Sequence, residues 1–275
     1  MVEAHLATRP GWRPTPFLLA SAGLQAAGAL AVAISPHHWP VVAGALFADH
    51  LVIAGASIAP GSRLLGPNLS RLPEAAARRG EVALTFDDGP DPEVTPQVLE
   101  LLARRGALAT FFCIGRRAAA HPGLAAEIVR RGHRVENHSY AHSSAFAWYF
   151  PAALRRDIHA AQETLQRTAG QRPRLFRAPA GIRGPLLERE LVAAGLALAS
   201  WSRRGFDTVS RRPERVLRRL LHNLAAGDVL LLHDGSPARD RRGTPVVLEV
   251  LPRLLDELAA RGLRPVVMAG AREGR

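Results

Sequence analysis

The stretch whose reading decides the fold is "EVALTFDDGPD", residues 81–91. It begins as a half-buried strand and ends in two adjacent acids, Asp87 and Asp88, followed by Gly89 and Pro90. Like charges at neighbouring positions repel, so two carboxylates at a strand end call for a counter-charge. From residue 80 onward, short apolar, β-rich segments recur at 81–87, 107–115, 133–138, 174–178, 196–201, 228–233 and 263–268. Amphipathic helical patterns lie between most of them: "PQVLELLARRG" (96–106), "PAALRRDIHAAQETLQRTAG" (151–170), "PERVLRRLLHNLAAG" (213–227) and "PVVLEVLPRLLDELAARG" (245–262). Several end in Gly, the expected helix stop. Strands alternating with helices predict parallel strands joined by crossover helices, the α/β class. Seven strands in about 195 residues suit a distorted (β/α)7-type barrel better than an open sheet. Such barrels carry their chemistry at the C-terminal ends of the strands.

The polar residues gather at those ends. The first strand ends at Asp87-Asp88, and the third in "ENHSYAH", which sets His138 and His142 four apart. Residues at i and i+4 can share one face of a helical turn, so both imidazoles could reach a single ion. Two neutral nitrogens, one carboxylate and an open position make a hydrolytic zinc-type site. A divalent cation there also offsets the carboxylate repulsion, leaving one Asp to bind and the other free as a base. The fourth strand ends in "FRAPAG" (176–181), where Arg177 is a fixed cation able to orient a carboxylate. The sixth ends in "LLLHDG" (230–235), where His233 titrates near neutrality and can donate a proton. Between them "SWSRRGFD" (200–207) brings Trp201 and Asp207. Singly, each has an ordinary alternative: a structural ion pair, a core histidine, a core tryptophan. Their joint arrival at five strand ends points to a site.

Residues 80–270 resemble the NodB-homology polysaccharide deacetylases, carbohydrate esterase family 4. The resemblance rests on "TFDDGP" at 85–90, "HSYAH" at 138–142, "RAPAG" at 177–181, Asp207 after Trp201, and "LLH" at 231–233, all in the family order. It implies a distorted barrel of about seven strands, in accord with the strand count. It also implies that Asp88, His138 and His142 hold a divalent metal, usually zinc, with cobalt, nickel or manganese accepted. Asp87 would be the general base, steadied by Arg177, and His233 the general acid, paired with Asp207. Leu231 would line the pocket for the acyl methyl, Trp201 would contact substrate, and the Ala180 backbone N–H would help bind the oxyanion. The implied reaction removes an N-acyl group, N-acetyl above all, from an amino sugar in a polysaccharide, oligosaccharide or glycolipid. Two positions depart from the family pattern. Residue 180 is Ala where Tyr or Phe is usual, and 208 is Thr where Trp is frequent. Both widen the expected substrate groove.

The first 72 residues form a separate region, ahead of a catalytic domain at 73–275. Charge nearly vanishes between Pro16 and Pro60. "PFLLASAGLQAAGALAVAIS" (16–35) is about one membrane thickness as a helix. "VVAGALFADHLVIAGASIA" (41–59) follows, with Asp49 and His50 near its middle, where an ionisable group costs about 2.5–3.5 kcal/mol unless it faces protein or water. These runs predict an apolar two-helix segment. A membrane hairpin flanked by Arg9, Arg13, Arg63, Arg71, Arg78 and Arg79 would leave both ends, and the catalytic domain, cytoplasmic. A secretory signal cleaved near "AVA" (31–33), leading to a periplasmic or secreted enzyme, and a pair of ordinary packed helices are the other readings. The membrane reading favours a sugar linked to polyprenyl phosphate as substrate. Outside enzymes, the alternative is a membrane-anchored glycan-binding protein with an inactive site.

Charge separates fewer classes than its size suggests. The formal charge is +12, from 36 basic and 24 acidic residues, and every basic residue is Arg. No nucleic-acid motif accompanies them, so no nucleic-acid partner is expected. An anionic membrane surface or a phosphate on the substrate is the better match. Cys113 is the only cysteine, which excludes an intrachain disulfide.

Overall fold

The alternation beginning at residue 81 forms a curved, wholly parallel sheet in the computed structural model, which describes residues 11–268. Arg9, counted in the basic flank, lies outside the described residues, as do residues 269–275. Two long helices come first, α1 (Pro16–Ile34) and α2 (Trp39–Ile58), then a short α3 (Glu74–Arg78). The barrel opens with β1 (Glu81–Asp87), α4 (Val94–Arg104), β2 (Thr110–Cys113), α5 (Gly115–Ala120), α6 (Pro122–Arg130) and β3 (Arg134–Asn137). It continues through α7 (Pro151–Ala169), β4 (Leu175–Phe176), α8 (Leu187–Ala194), β5 (Ala197–Leu198) and β6 (Arg203–Arg204). It closes with α9 (Pro213–Leu221), β7 (Val229–His233), α10 (Val246–Ala260) and β8 (Arg264–Val266).

The strand order is β5-β4-β3-β2-β1-β7-β6, with β8 beside β1. One edge of β1 is divided: its first half pairs with β8, at Glu81–Ala83, and its second with β2, at Thr85–Asp87. The barrel stays unclosed between β5 and β6. A strap from the preceding segment fills that gap, with the Leu69 N–H donating to Leu198 O at 3.0 Å and the Ser200 N–H to Leu69 O at 3.0 Å. Further along the strap, the Leu72 N–H donates to Gly227 O at 2.8 Å.

The period of two along each strand sorts the side chains. Val82, Leu84 and Phe86 face outward and pack with Val98 and Leu102 of α4 and Val250 and Leu254 of α10. Burying each such side chain contributes about 1.5–3 kcal/mol. Ala83, Leu231, Phe112, Leu175 and Trp201 fill the inside of the barrel. The inward column of β1 runs Ala83, Thr85, Asp87, and that of β7 runs Val229, Leu231, His233. The lining therefore turns from apolar to ionisable toward the C-terminal ends.

All seven expected strand segments contain a strand, and two details differ. The expected strand at 196–201 ends at Leu198, and an eighth strand, β6, follows at Arg203–Arg204. The break comes where the backbone changes partner: the Ser200 N–H goes to the strap, whereas the Ser202 N–H goes to Val229 O at 3.0 Å. Two arginines give no apolar signal, which is why β6 escapes a hydrophobicity reading. Helix α9 stops at Leu221 instead of running to 227, since Asn223 takes a left-handed φ of 51° and the chain turns into β7.

The two N-terminal helices pack on each other along their length and join the barrel only at their ends. The Ser21 hydroxyl donates to Asp49 Oδ2 at 2.7 Å, so the one acid of α2 faces α1. At Gly28 a Cβ would lie 2.8 Å from Val42 Cγ1, the mark of close helix approach. Leu19, Leu30, Val41, Phe47 and Leu51 point outward and are exposed. This outward apolar surface departs from the reading of ordinary helices packed on the main domain. At the far end, the Arg183 N–H donates to Ser57 O at 3.2 Å, and the Arg183 guanidinium to Ser62 O at 2.7 Å.

Candidate active site

Strand register builds the floor of the site. Asp87 stands level with His233 on the adjacent strand β7, both facing inward. Asp88, one residue past β1, takes a left-handed φ of 72°, which turns its carboxylate toward the loop after β3. There His138 Nε2 lies 3.3 Å and His142 Nε2 3.1 Å from Asp88 Oδ1. His138 Nε2 is also 3.8 Å from Asp87 Oδ2.

The loop carrying the two histidines corrects one expectation. Residues 138–142 form no helical turn; Ser139 and His142 adopt left-handed φ values of 64° and 48°. The loop is held from outside. Asp157 on α7 accepts from the Tyr140 and Ala141 N–H groups at 2.9 and 3.1 Å, and Asn137 Oδ1 accepts from the Ser139 N–H at 2.9 Å. The i, i+4 spacing thus converges by means of an acid elsewhere in the chain. Asp157 sits in the middle of a regular amphipathic helix and gives no local sequence signal.

Tautomer and electrostatics suit this cluster to a cation. His138 Nδ1 lies 2.8 Å from Arg177 O, an acceptor, so Nδ1 carries the hydrogen and Nε2 keeps its lone pair toward Asp88. The three donor atoms of Asp88, His138 and His142 lie within 4.8 Å of one another. That donor set, two imidazole nitrogens and one carboxylate, fits zinc and similar divalent ions. Burial of Asp88 favours its neutral form. With the metal absent, hydrogen bonds and positive charge from the protonated forms of His138 and His142 outweigh that and hold its carboxyl far below the ordinary carboxylate range. For His138, burial opposes the charged ring, but Asp87 and Asp88 together raise its pKa.

Asp87 is kept apart from that cluster by Arg177, which is fully buried. The Arg177 guanidinium donates to Asp87 Oδ1 at 2.6 Å, Thr85 Oγ1 at 2.9 Å and Ser200 O at 2.9 Å. Its plane lies 3.9 Å from the centre of the Phe112 ring. Burial lowers the pKa of Arg177, with Asp87 opposing. Across the floor, Asp207 Oδ1 lies 2.9 Å from His233 Nδ1, and Asp207 Oδ2 accepts the His233 backbone N–H at 2.8 Å. Burial, the largest single influence, disfavours the charged ring of His233. The combined charges of Asp207, Asp87 and Asp88 outweigh it and push the pKa up to about 9.

The remaining expected residues surround this floor. Leu231 lies two residues below His233 on the same inward face and is buried. Trp201 packs against Gly181, where a Cβ would fall 2.2 Å from the indole Cη2, so only glycine fits. Ala180 is exposed, with φ 55°, and its N–H meets no acceptor among the described residues. Thr208 is half-buried. Beneath the acid pair lies a support that motif reading missed. Asp234, fully buried, accepts from Thr95 Oγ1 at 2.5 Å, and burial pushes its pKa up to about 7. Its carboxylate lies so near Gly89 that a Cβ there would fall 2.2 Å from Oδ2. Arg117 donates to Asp88 O at 2.9 Å from the other side.

Comparison with known proteins agrees with this geometry. The profile described as "Polysaccharide deacetylase" matches residues 74–199. A peptidoglycan-N-acetylglucosamine deacetylase of Bacillus cereus is 35% identical over 190 residues, which span 68% of this chain and 86% of the relative. The family 4 carbohydrate esterase from Streptomyces lividans, solved with acetate, superposes with a TM-score of 0.63 at 32% identity, covering 71% of this chain and 96% of that one. A family 4 acetyl xylan esterase from Clostridium thermocellum, solved with a cobalt ion, gives a TM-score of 0.61 at 28% identity, covering 68% and 87%. With 86% of the Bacillus relative spanned at 35% identity and the family's parallel α/β barrel in place, this chain belongs to the polysaccharide deacetylase family, carbohydrate esterase family 4.

Proposed function

We propose that this deacetylase hydrolyses the N-acetyl group of amino-sugar residues in a glycan, with the help of a divalent metal. The observation that carries the reading is the convergence of Asp88, His138 and His142 beside Asp87, level with the Asp207-backed His233. Asp88 and the Nε2 atoms of His138 and His142 would hold the metal. When bound, such an ion supplies Lewis acidity and makes hydroxide available from water near neutral pH.

The chain's own residues account for the proton traffic. Arg177 fixes Asp87 with one carboxylate oxygen engaged, which leaves the other to take a proton from the attacking water. The Ala180 N–H is a preset donor for the oxyanion, a contribution worth about 3–4 kcal/mol per donor in other hydrolases. An amine leaves poorly until protonated, and His233 delivers that proton, its ring held and kept charged by Asp207. Leu231 offers an apolar wall for the acetyl methyl. A small residue at 180 and Thr208 leave room for a substrate broader than a bare linear chain. The same groups argue against an inactive glycan-binding protein, because every acid, base and ligand position is filled.

The testing experiment separates the two carboxylates. Asp88→Ala and His142→Ala should lose both bound metal and acetate release from N-acetylglucosamine oligomers. Asp87→Asn should retain the metal, measured by elemental analysis, while acetate release falls by about 10²–10⁴-fold. Near-parental turnover by Asp87→Asn would remove the base assignment.

A second reading concerns where the substrate lies. Helices α1 and α2 are long and apolar enough to cross a bilayer and bury little of their surface. We infer that they anchor the enzyme and that the substrate is a membrane-borne glycan, with the Arg flanks favouring the cytoplasmic face.

A further inference from the structure

A cavity of about 710 Å³ lies away from the candidate metal cluster, beside the barrel at β6, and is lined on one side by Arg204, Arg218 and Arg219. None of these three has an acidic partner among the described residues. Some other surface arginines find carboxylates, as Arg105 does with Asp256, Arg131 with Glu100, Arg239 with Glu93 and Arg253 with Glu214, and others stand singly in solvent; here three line one hollow. Arg71 and Arg203, at the cavity's edge, are both committed to the buried Asp228. Three guanidiniums facing one hollow with no counter-charge repel one another, and an anion in the hollow removes that cost.

The guanidiniums are also held in place. Phe206 carries Arg204 and Arg219 within 4.8 and 5.0 Å of its ring centre, and Arg204 lies 5.2 Å from the Trp201 ring. Such contacts restrain the planes while leaving N–H edges free for an incoming ligand. Arg204 Nε is buried and has no acceptor. A tetrahedral group with three strong acceptor oxygens matches three such forks better than a single carboxylate does. A hollow of about 710 Å³ has room for a small anionic group and not for a nucleic-acid duplex.

Its position ties it to the site already described. Trp201 forms part of the cavity wall, and the same indole packs against Gly181 and lies 5.8 Å from the Arg177 guanidinium that holds Asp87. On the opposite side the wall is Pro60 and Gly61, just past the end of α2. We propose that this cavity is a phosphate-binding site, serving the phosphate of a substrate whose sugar reaches the metal cluster. The link to substrate rests on the hydrolase reading above; the binding of phosphate does not.

The test is titration calorimetry on the full chain in neutral detergent micelles, with inorganic phosphate and dodecyl phosphate as separate probes. Parental protein should bind at least one probe saturably. Arg204→Gln and Arg219→Gln should each weaken that binding about tenfold, the loss of one charge-assisted hydrogen bond. Arg241→Gln, an exposed change of equal charge outside the cavity, should leave it unaltered, and metal uptake should be unaltered in all three. Dodecyl phosphate binding about tenfold or more tighter than phosphate assigns the site to a lipid headgroup, and equal affinities assign it to free phosphate or a soluble phosphorylated sugar. Absence of saturable binding by either probe, insensitivity to both cavity variants, or an equal loss in Arg241→Gln overturns the proposal. Acetate release plays no part, so an inactive enzyme that binds phosphate would sink only the hydrolase reading.

Discussion

Asp207 engages His233 twice, through the ring and through the backbone, so it fixes both the direction and the charge of the imidazole. In the proposed mechanism the protonated ring donates the proton, and activity should therefore fall as pH rises through its pKa. The carboxylate of Asp207 favours the charged ring, so removing it lowers that pKa. Asp207→Asn should move the alkaline limb of the acetate-release profile downward by about 1–3 pH units. An unmoved limb would show that His233 is not the group titrating there. A bound cation offsets the charges of Asp87 and Asp88, two influences that lift His233, so the loaded enzyme's limb should lie below the value of about 9. At this scale the sequence is informative where function is compressed into a few neighbours. Asp87, Asp88, His138 and His142 lie in two short runs, and the chemistry of carboxylate beside imidazole is readable without coordinates. Thr85 and Asp234 are not: their roles exist only through Arg177 and Thr95, about ninety and one hundred and forty residues away in the chain.

Among the elements, the β3–α7 loop depends on a helix that offers no catalytic residue. Asp157 holds two loop N–H groups, and without it the two left-handed residues keep only Asn137, the Ser139 hydroxyl and the Gly115 and Arg116 N–H groups that donate to Ser139 O and Tyr140 O. Asp157→Ala should weaken metal affinity by about 10–100-fold, as loss of support behind a ligand does. Equilibrium dialysis measures this, and an unchanged affinity would make the loop self-supporting. The turn after β4 gives a second test. Gly181 has φ 75° and meets the Trp201 ring. Gly181→Ala should cost about 1–3 kcal/mol in urea unfolding, from overpacking and left-handed strain. A stable variant would mean that the indole can move. The elements legible in the sequence are those with an apolar run or period: seven of the eight strands, and helices such as α4, α7 and α10. Strand β6 was hidden because its pairing to Leu230 and Leu231 is made by backbone alone, under two charged side chains.

For the whole molecule, the two-helix hairpin was legible from its missing charge, but the consequence of Asp49 was not. Facing Ser21, that acid is satisfied within the pair and leaves the outer surface apolar. The protein should remain with the membrane fraction through an alkaline carbonate wash and come free in detergent. Release by carbonate alone would show that the helices lie on the bilayer or on another protein. The stretch between hairpin and barrel has a further effect. Residues 60–72 are not a loose tether: Pro60 O accepts from Ser200 Oγ and Asn68 Nδ2, the Leu69 backbone fills the gap in the barrel, and Arg71 reaches Asp228. An enzyme on a slack leash sweeps a hemisphere and can trim long strands far from its anchor. One stitched down at both ends of thirteen residues works at a single height, and in an anchored protein only sugars presented at that height would ever be trimmed.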